Sequence, residues 1–473
     1  MALHAERFRR LISLARSGKM PLKEILPEIL DYFCFLARET RYTPDILLEH
    51  FEALLQLIVD GIRSGSIPLD EALHVVDRID FYLRRARIPP FIRREMVSRL
   101  RREVETPLKE LETEKVFKKL ESAITLGGGD KILFFLGAGA SRPPPSNIPT
   151  INELLQELWR TAGRIHPNPL EKLQRWCEET NIKNIEELLT AITISDLIIR
   201  NPKVLHLLVS VLYSDSEKLR EIPLREIDAI LRHEDTVKMF FSLLAGMMLK
   251  AEPNAVHRSI AEYAKEKIGV VNIITTNYDC CMEIALKELD VPYHHVLNMP
   301  SDALKRLALV KMHGSVNWFY CDGCERVYFS PIVRESDNNE VPYPIVGMCR
   351  YCNRPITQFI IPPIAYKFLT HPPIIQVWEY GRALLERSKI MVIIGYSFSA
   401  ADDYIVKMIK KAIREHPNKY VIVINKSPQD ITRCKNMITY VESFDVENNF
   451  FPLYGDAAEL VPKLVELLHK ILS

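Results

Sequence analysis

The chain has 473 residues, of which 47% are hydrophobic and 26% are charged, and its formal net charge is +1. This length predicts two or three domains, and the composition is typical of globular proteins. A net charge so close to zero excludes a global electrostatic preference for nucleic acid or for an anionic membrane, so any such preference must come from a local patch.

The sequence shows no sign of export or of membrane insertion. No apolar run approaches the ~20 residues that a membrane-spanning helix needs, and the first residues lack the apolar core of a signal peptide. Nine cysteines are present, and four of them form two C-x-x-C pairs. That pattern favours a reducing compartment with a metal site over a disulfide framework. We therefore expect a cytoplasmic protein with no membrane association.

Residues 1–122 are predicted to form an all-helical N-terminal domain. Apolar residues recur there at spacings of three and four, prolines stand where helices can begin, and no strand-like alternation is present. The segment Arg84-Arg102 contains eight arginines opposed only by Glu95. A solvated helical face is the favoured interpretation. A contact surface for nucleic acid or a partner protein is the alternative, and no aromatic interleaving supports it.

A different pattern follows Gly127-Gly128-Gly129, which marks the domain boundary. Short apolar runs alternate with helical patterns over residues 126–473, as in a parallel sheet buried on both faces. The predicted strands are 132–136, 270–274, 308–312, 390–394 and 420–424. The fold class is therefore α/β, with a Rossmann-like parallel sheet. Residues about 151–260 are predicted to form a helical insertion beside the sheet.

Small and polar residues follow every predicted strand. They are Gly137-Ala138-Gly139-Ala140-Ser141, Thr275-Thr276-Asn277-Tyr278-Asp279, His313-Gly314-Ser315, Gly395-Tyr396-Ser397-Phe398-Ser399 and Asn425-Lys426-Ser427. Each alone is typical of a helix cap or a turn. Because the carboxyl ends of parallel strands meet at one edge of the sheet, together they predict a ligand crevice. The glycines could let backbone N–H groups approach a pyrophosphate, although Arg142 replaces the third glycine of the dinucleotide fingerprint.

The four paired cysteines predict a structural zinc site. Cys321-x-x-Cys324 is separated by 24 residues from Cys349-x-x-Cys352. Two such pairs can close a tetrahedral four-thiolate site, and a metal would hold folded a loop that has little core of its own. We predict a zinc-ribbon-like module at about 318–358.

Taken in order, these motifs resemble the sirtuin family over residues 126–473. The matching pattern is GAG-x-S, T-x-N-x-D, H-G, two C-x-x-C pairs, G-x-S and a terminal strand ending in Asn425. The resemblance implies a sheet of sirtuin type that binds NAD and cleaves its nicotinamide glycosidic bond. It implies NAD contacts from Gly137, Ala138, Gly139, Ser141, Thr276, Asp279, Gly395, Ser397 and Asn425. It also implies that His313 is a general base acting on a ribose hydroxyl.

The departures from the family pattern point to one branch of it. Protein deacylases carry G-I-P-D-F-R after the glycine loop, whereas residues 147–152 read N-I-P-T-I-N, and Thr276 replaces the glutamine of their T-Q-N motif. These motif residues resemble those of the sirtuin-like NAD hydrolases of prokaryotic antiviral defence. In that branch the catalytic pair is an Asn and a His, here Asn277 and His313. Extra helical domains there sense a trigger or oligomerise, so we expect residues 1–122 to mediate homo-oligomerisation or to bind a partner protein.

Two alternatives remain open from the sequence. The zinc site is ordinary in deacylases, so an NAD-dependent protein deacylase or ADP-ribosyltransferase is the second hypothesis. The altered loop after Ser141 leaves room for a third hypothesis, a non-catalytic sensor of NAD or ADP-ribose.

Overall fold

The computed structural model describes residues 2–17, 44–64, 90–127, 131–149, 251–321, 323–330, 347–360, 373–399 and 402–472, with a few single residues between these ranges. Contacts divide the chain into two compact units, Met1–Lys118 and Lys119–Ser473. Most of the predicted helical insertion at about 151–260 lies outside the described residues. No helix in the described part of the chain is long and apolar enough to cross a bilayer.

The first unit is helical wherever it is described. Its helices are α1 (Ala2–Arg16), α2 (Pro44–Arg63) and α3 (Pro90–Gly127), the last of which continues past Lys118. Phe8 of α1, Leu54 and Ile58 of α2, and Leu100 of α3 share one buried apolar cluster. Their spacing places them on one face of each helix, so burial of that face stabilises the helices. The helical prediction is confirmed over these residues.

The described part of the arginine run carries ion pairs within its own unit. The Arg99 guanidinium binds the Glu52 carboxylate with both terminal nitrogens, and Arg93 Nε lies 3.8 Å from Asp80 Oδ1. Arg84, Arg85 and Arg87 lie outside the described residues. The pairs favour the interpretation of the run as a helical face with intramolecular partners.

The second unit is built on a seven-stranded parallel sheet, which confirms the predicted fold class. The strands are β1 (Ile132–Leu136), β2 (Val271–Thr275), β3 (Tyr293–His294), β4 (Leu307–Lys311), β8 (Ile390–Ile394), β9 (Tyr420–Asn425) and β10 (Phe450–Tyr454), in the spatial order β10-β9-β8-β1-β2-β4-β3. Every residue of β1, β4 and β8 is buried, as expected for strands covered on both faces.

Helices connect and flank these strands. They are α4 (Ala255–Glu266), α5 (Cys281–Glu288), α6 (Ile374–Arg387), α7 (Asp403–Glu415), α8 (Pro428–Thr439), α9 (Val446–Asn449) and α10 (Ala457–Leu472). Several of them begin at side chains that bond the first turn; Asn254, for example, caps α4 and forms a capping box with His257.

Strand β10 was not predicted from the sequence. It carries Pro452, which has no N–H to donate to a sheet ladder, and such a residue is unusual in a central strand. In the structure β10 pairs with β9 alone among the described strands. An edge position tolerates the missing donor, so the apolar run 450–454 extends the sheet in spite of its proline.

The strand order reverses beside β1. From β1 the chain proceeds outward through β2 and β4, and it returns on the other side of β1 with β8, β9 and β10. In open parallel sheets, ligands bind outside the carboxyl ends of the strands at such a reversal. The glycine loop after β1 and Gly395 after β8 stand at this point.

A separate three-stranded antiparallel sheet carries the cysteines. Its strands are β5 (Gly314–Cys321), β6 (Arg326–Phe329) and β7 (Thr357–Ile360), with β5 in the centre. Strand β5 follows β4 after only Met312 and His313, so the antiparallel sheet is tied directly to the edge of the crevice.

Candidate active site

A cavity of about 770 Å³ lies at the carboxyl ends of the parallel strands. It brings together ten of the residues predicted from the sequence: Ala138, Gly139, Ser141, Thr276, Asn277, Asp279, His313, Gly395, Ser397 and Asn425. Gly137 bonds to this set through its carbonyl oxygen, which accepts from Asn277 Nδ2 at 3.0 Å. Segments from five strand ends therefore converge on one crevice.

The glycines of the crevice permit two backbone segments to touch. The Gly139 N–H donates to the Gly395 carbonyl at 2.8 Å, and a Cβ added at Gly139 would lie 2.7 Å from Gly395 Cα. Gly395 has a φ of +60°, in the left-handed region that favours glycine. The sequence interpretation assigned these amides to a pyrophosphate. In the structure the amides of Gly139, Ala140 and Ser141 bond to protein carbonyls, so at these positions the loop contributes close packing.

The side-chain amide of Asn277 is held in one orientation. Its Nδ2 donates to Gly137 O at 3.0 Å and to Ser141 Oγ at 3.0 Å, while its backbone N–H donates to Thr275 Oγ1. A carbonyl oxygen can only accept, so the amide nitrogen must face Gly137. Asn277 lines the cavity, and Oδ1 is the atom of its amide that these bonds leave as an acceptor.

Ser141 connects Asn277 to two further buried residues. Its hydroxyl donates to Asp279 Oδ2 at 2.9 Å and lies 3.2 Å from His257 Nε2. His257 Nδ1 accepts the Asn254 N–H, and burial lowers the pKa of His257 to about 4, so the neutral ring carries its proton on Nε2 and donates to Ser141. Ser141 Oγ thus accepts two hydrogen bonds and donates one. His257 was not singled out from the sequence, because it stands alone on α4.

We predict that Ser141→Ala lowers the rate of NAD cleavage about tenfold or more and also lowers the melting temperature. The substitution leaves the Asn277 amide, the His257 N–H and the Asp279 carboxylate each short of one buried partner, at ~1–3 kcal/mol for such a loss. Thermal unfolding and nicotinamide release measure the two effects, and the exposed Ser301→Ala is the matched control. Unchanged release by a folded Ser141→Ala protein would contradict this role for the serine.

A buried lysine supports the Asn277 loop from behind. Lys311, at the end of β4, donates to Glu283 Oε1 at 2.9 Å and to the backbone carbonyl of Asp279. Burial opposes its charge most strongly, but the Glu283 carboxylate together with Cys280 and Asp279 outweighs that effect and raises the pKa of Lys311 above its usual value. The loop that carries Asn277 is therefore anchored to the sheet by an ion pair that is fully buried.

His313 immediately precedes β5 and is buried. Its Nδ1 lies 3.1 Å from the carbonyl oxygen of Thr276, so Nδ1 carries a proton and Nε2 is the nitrogen that can gain or lose one. The neighbouring Met312 carbonyl accepts the Trp378 indole N–H at 2.7 Å, which fixes the backbone beside the histidine. His313 lines the cavity together with Asn277.

Asp402 is a site residue that the sequence interpretation missed. Its Oδ1 lies 3.3 Å from His313 Nε2, and its Oδ2 accepts the Tyr396 hydroxyl at 3.0 Å. In the sequence it resembles a helix cap before α7, although its side chain makes no capping hydrogen bond. The signal that could have identified it is its place seven residues after the glycine that ends β8.

The far end of the cavity is held by Asn425. Its Nδ2 donates to the Tyr396 carbonyl at 3.0 Å, and its Oδ1 accepts the Ser427 N–H at 3.0 Å. Both ends of this amide therefore brace the loops after β8 and β9. Lys426 and Arg433 line the same end and pair with Asp456 and Asp430 respectively.

The four paired cysteines converge as a metal site requires. Cys321 and Cys352 have their sulfurs 3.3 Å apart, Cys324 and Cys349 have theirs 3.4 Å apart, and all four sulfurs lie within 4.8 Å of one another. A tetrahedral zinc ion with bonds of about 2.3 Å needs sulfurs about 3.8 Å apart. The donor set therefore fits zinc.

Removal of one zinc ligand should release the metal. We expect Cys321→Ala to lower bound zinc from about one ion per chain to less than half, because three thiolates no longer close the tetrahedral site, and to lower the melting temperature. Zinc is measured by elemental analysis of the purified chain. Cys434→Ala is the control, since Cys434 is buried alone in the core. An unchanged zinc content in Cys321→Ala would contradict the assignment.

A second cluster, His257, Asp279 and Cys281, also has its potential ligand atoms within 4.8 Å. Its polar groups are already engaged: Asp279 Oδ1 accepts the Cys281 N–H and Oδ2 accepts from Ser141, while His257 Nε2 faces Ser141. The hydrogen bonds that orient Asn277 therefore account for the proximity of these three side chains.

Residues 271–440 match the family model of the SIR2-like domain. That segment contains Asn277, His313 and the four cysteines, whereas the glycine loop precedes it. No curated protein matches the chain in sequence.

Among solved structures, a Sir2 homologue mutant in complex with ADP-ribose is 17% identical, with 74% of this chain and 97% of that chain covered and a TM-score of 0.39. A Sir2 homolog–NAD complex is 17% identical, with coverage of 75% and 95% and a TM-score of 0.41. Sir2 bound to an acetylated peptide is 16% identical, with coverage of 73% and 97% and a TM-score of 0.33. At these levels the likenesses carry no residue-level argument.

Proposed function

We propose that the chain binds NAD in the cavity and hydrolyses its nicotinamide glycosidic bond, giving nicotinamide and ADP-ribose. The observation that carries the proposal is the pairing of a fixed amide acceptor, Asn277 Oδ1, with an ionisable ring, His313, on one cavity at the reversal of the strand order. The match of residues 271–440 to the SIR2-like domain supports NAD as the ligand.

The leaving group, nicotinamide, needs no protonation by the protein. Nicotinamide is a cation while attached to the ribose, and it departs as a neutral base that takes the bonding electrons with it. The sugar carbon C1′ becomes cationic and is captured by water, and one proton is released. The protein must therefore stabilise positive charge at C1′, place the water and accept a proton.

Asn277 suits the first two of these tasks. Its amide nitrogen is fully engaged by Gly137 and Ser141, so its oxygen keeps one direction as the reaction proceeds. An oriented amide oxygen attracts a cationic centre and accepts a hydrogen bond from water without reorganisation. In our proposal, Ser141, His257 and Asp279 act through Asn277.

His313 suits the proton transfer. Its Nδ1 is committed to the Thr276 carbonyl, so a neutral ring offers Nε2 as the base. Histidine changes its charge near neutral pH, which is the property that a general base requires.

The remaining predicted NAD contacts divide the cavity between the two halves of the ligand. The proposal places the phosphates against the loop of Gly137, Ala138, Gly139 and Ser141 through close packing, because the amides of Gly137, Gly139 and Ser141 are bonded to protein carbonyls. It assigns Thr276 and Asp279 to the nicotinamide ribose. It assigns Gly395, Ser397 and Asn425 to the adenosine. Arg142 and Arg433 also line the cavity, where they pair with Glu153 and Asp430 respectively.

Water is preferred over an acylated peptide as the nucleophile because the segment after Ser141 departs from the deacylase pattern. Ile148, whose N–H donates to the Ser141 carbonyl at 3.0 Å, and Pro149 line the cavity. The Asp-Phe-Arg that follows this proline in deacylases is replaced by Thr150-Ile151-Asn152, which lie outside the described residues. The sequence at these positions therefore lacks the charged residues that the deacylase pattern carries.

The discriminating experiment compares the products formed with and without an acetyl-lysine peptide. The purified full-length chain is incubated with NAD, and the products are identified by mass spectrometry. We expect ADP-ribose and nicotinamide in both mixtures. The appearance of O-acetyl-ADP-ribose with the peptide, and of no product without it, would assign the chain to the deacylases.

A deacylase is the second candidate, and the four-cysteine module is the observation that favours it. In the hydrolase proposal, zinc has a structural role only. Binding of NAD without turnover, unaffected by His313→Ala, would instead identify a sensor.

The proposal includes two broader assignments that rest on the resemblance. Residues 1–122 form a domain that oligomerises the chain or receives a partner signal, and residues 126–473 form the catalytic domain. The activity serves antiviral defence in the cytoplasm by depleting NAD. Infection of cells that express the wild-type chain or His313→Ala, with cellular NAD as the readout, tests this assignment.

A further inference from the structure

Asp402 occupies the cavity wall next to the nitrogen of His313 that would handle the proton. It is 8% exposed and lines the cavity; its Oδ1 lies 3.3 Å from His313 Nε2, and its Oδ2 accepts a hydrogen bond from Tyr396 at 3.0 Å. The Asp402 carboxylate is therefore held against His313 by a third residue, as a ring-orienting carboxylate requires.

The proton positions along the series Tyr396, Asp402 and His313 follow from the hydrogen-bond partners of these side chains. The Thr276 carbonyl can only accept, so His313 Nδ1 carries a proton in either charge state. Burial, together with the Asp402 charge, raises the pKa of Tyr396 well above its usual value, so the phenol stays protonated and donates to Oδ2. The variable proton therefore lies at His313 Nε2, facing Asp402 Oδ1.

The contact between Nε2 and Oδ1 favours one charge state of the ring. In neutral His313 the unprotonated Nε2 lies 3.3 Å from an anionic oxygen, which is unfavourable. In protonated His313 the same contact becomes an ion pair inside a buried wall, where opposite charges interact strongly. Asp402 thus makes His313 a stronger base and fixes the plane of its ring.

We propose that Asp402 is the positioning residue of His313, which holds Nε2 at the cavity wall and stabilises the ring once it has accepted a proton. The inference rests on the proposed cleavage of NAD. In the step, the O–H bond of the attacking water breaks, an N–H bond forms at Nε2, and the oxygen's electron pair forms the bond to C1′. Asp402 keeps its charge throughout.

Few other titratable groups face His313 in the described structure. The Tyr278 ring, from the loop after β2, lies 6.0 Å from the imidazole between ring centroids. Tyr396, from the loop after β8, acts through Asp402, and Asp279 lines the same cavity. A change at Asp402 therefore removes the carboxylate that contacts Nε2 and leaves the others in place.

Asp402→Asn tests the pairing without relying on catalysis. Full-length chains labelled with ¹⁵N-histidine are titrated by NMR, and the His313 signal is assigned by its loss in His313→Gln. We expect the His313 midpoint in Asp402→Asn to lie about one to three pH units below that of the wild type. The control is Asp403→Asn, because Asp403 is exposed and pairs with Lys407 at 2.5 Å. Equal midpoints in Asp402→Asn and the wild type would overturn the proposal.

The kinetic consequence separates this role from a merely structural one. In Asp402→Asn we expect kcat for nicotinamide release to fall on the order of 100-fold, with a much smaller change in KM, and the acidic limb of the pH–rate profile to move to lower pH. An unchanged kcat in the folded variant would overturn the role. Absence of release by the wild type would refute the proposed function. The NMR midpoints would in that case still test the pairing of Asp402 with His313.

Tyr396→Phe keeps the test decisive if Asp402→Asn does not fold. It retains the buried ring and removes only the hydroxyl from Asp402 Oδ2. A carboxylate that loses a hydrogen-bond donor attracts a neighbouring cation more strongly. We therefore expect the titration midpoint of His313 to rise. A midpoint that stays or falls would contradict the proposed chain from Tyr396 through Asp402 to His313.

Discussion

His313→Ala is expected to lower the rate of nicotinamide release from NAD by about 10²–10⁴-fold, the usual contribution of a positioned general acid or base. The ring is the ionisable group that contacts both Thr276 O and Asp402 on the cavity wall. Its loss removes the proton acceptor and the ring that the Asp402 carboxylate contacts. The rate is measured by chromatography of nicotinamide at saturating NAD.

The matched control for this substitution is His416→Ala. His416 is exposed at the end of α7 and does not line the cavity. We expect it to release nicotinamide at the wild-type rate. A His313→Ala protein with a wild-type melting temperature and more than a tenth of the wild-type rate would show that His313 is not the base.

Asn277→Ala is expected to lower the rate by about 10²–10³-fold, the cost of removing one fixed electrostatic group from an active site. Binding of ADP-ribose, measured by calorimetry, should change much less, because the Asn277 oxygen acts on charge that develops only in the transition state. The asymmetry between a large change in rate and a small change in binding is the signature of this role.

Asn298→Ala provides the control, since Asn298 is exposed in the short 3₁₀ helix Val296–Asn298 and does not line the cavity. Equal losses of ADP-ribose binding and of rate in Asn277→Ala would show that Asn277 contributes to ligand binding only. Retention of the rate would remove Asn277 from the mechanism.

The parallel sheet was predictable because its strands are buried on both faces. Runs such as 132–136 and 390–394 are continuously apolar, and the structure buries every residue in them. Their ends were also predictable, since parallel strands present their carboxyl ends at one edge. That rule alone brings Ser141, Asn277 and His313 together. Strand β10 was missed because Pro452 violates the rule for central strands and is tolerated only at an edge.

The contacts within the site could not be read from the sequence. His257 is 116 residues from Ser141 along the chain, and no local pattern marks it as a partner. Asp402 stands at a helix N-cap position, and only the structure shows that its carboxylate lies 3.3 Å from His313. Asn425 was assigned to the ligand, yet both ends of its amide brace neighbouring loops. Side-chain partners depend on tertiary packing, which strand patterns do not encode.

The central claim is that this cavity cleaves the nicotinamide glycosidic bond with water. The most direct test incubates the purified full-length chain with NAD alone, with no peptide present, and follows nicotinamide release beside His313→Ala. We predict release by the wild type with ADP-ribose in equal amount, and release at least ~100-fold slower in His313→Ala. No release by the wild type, or equal release by the variant, would contradict the account.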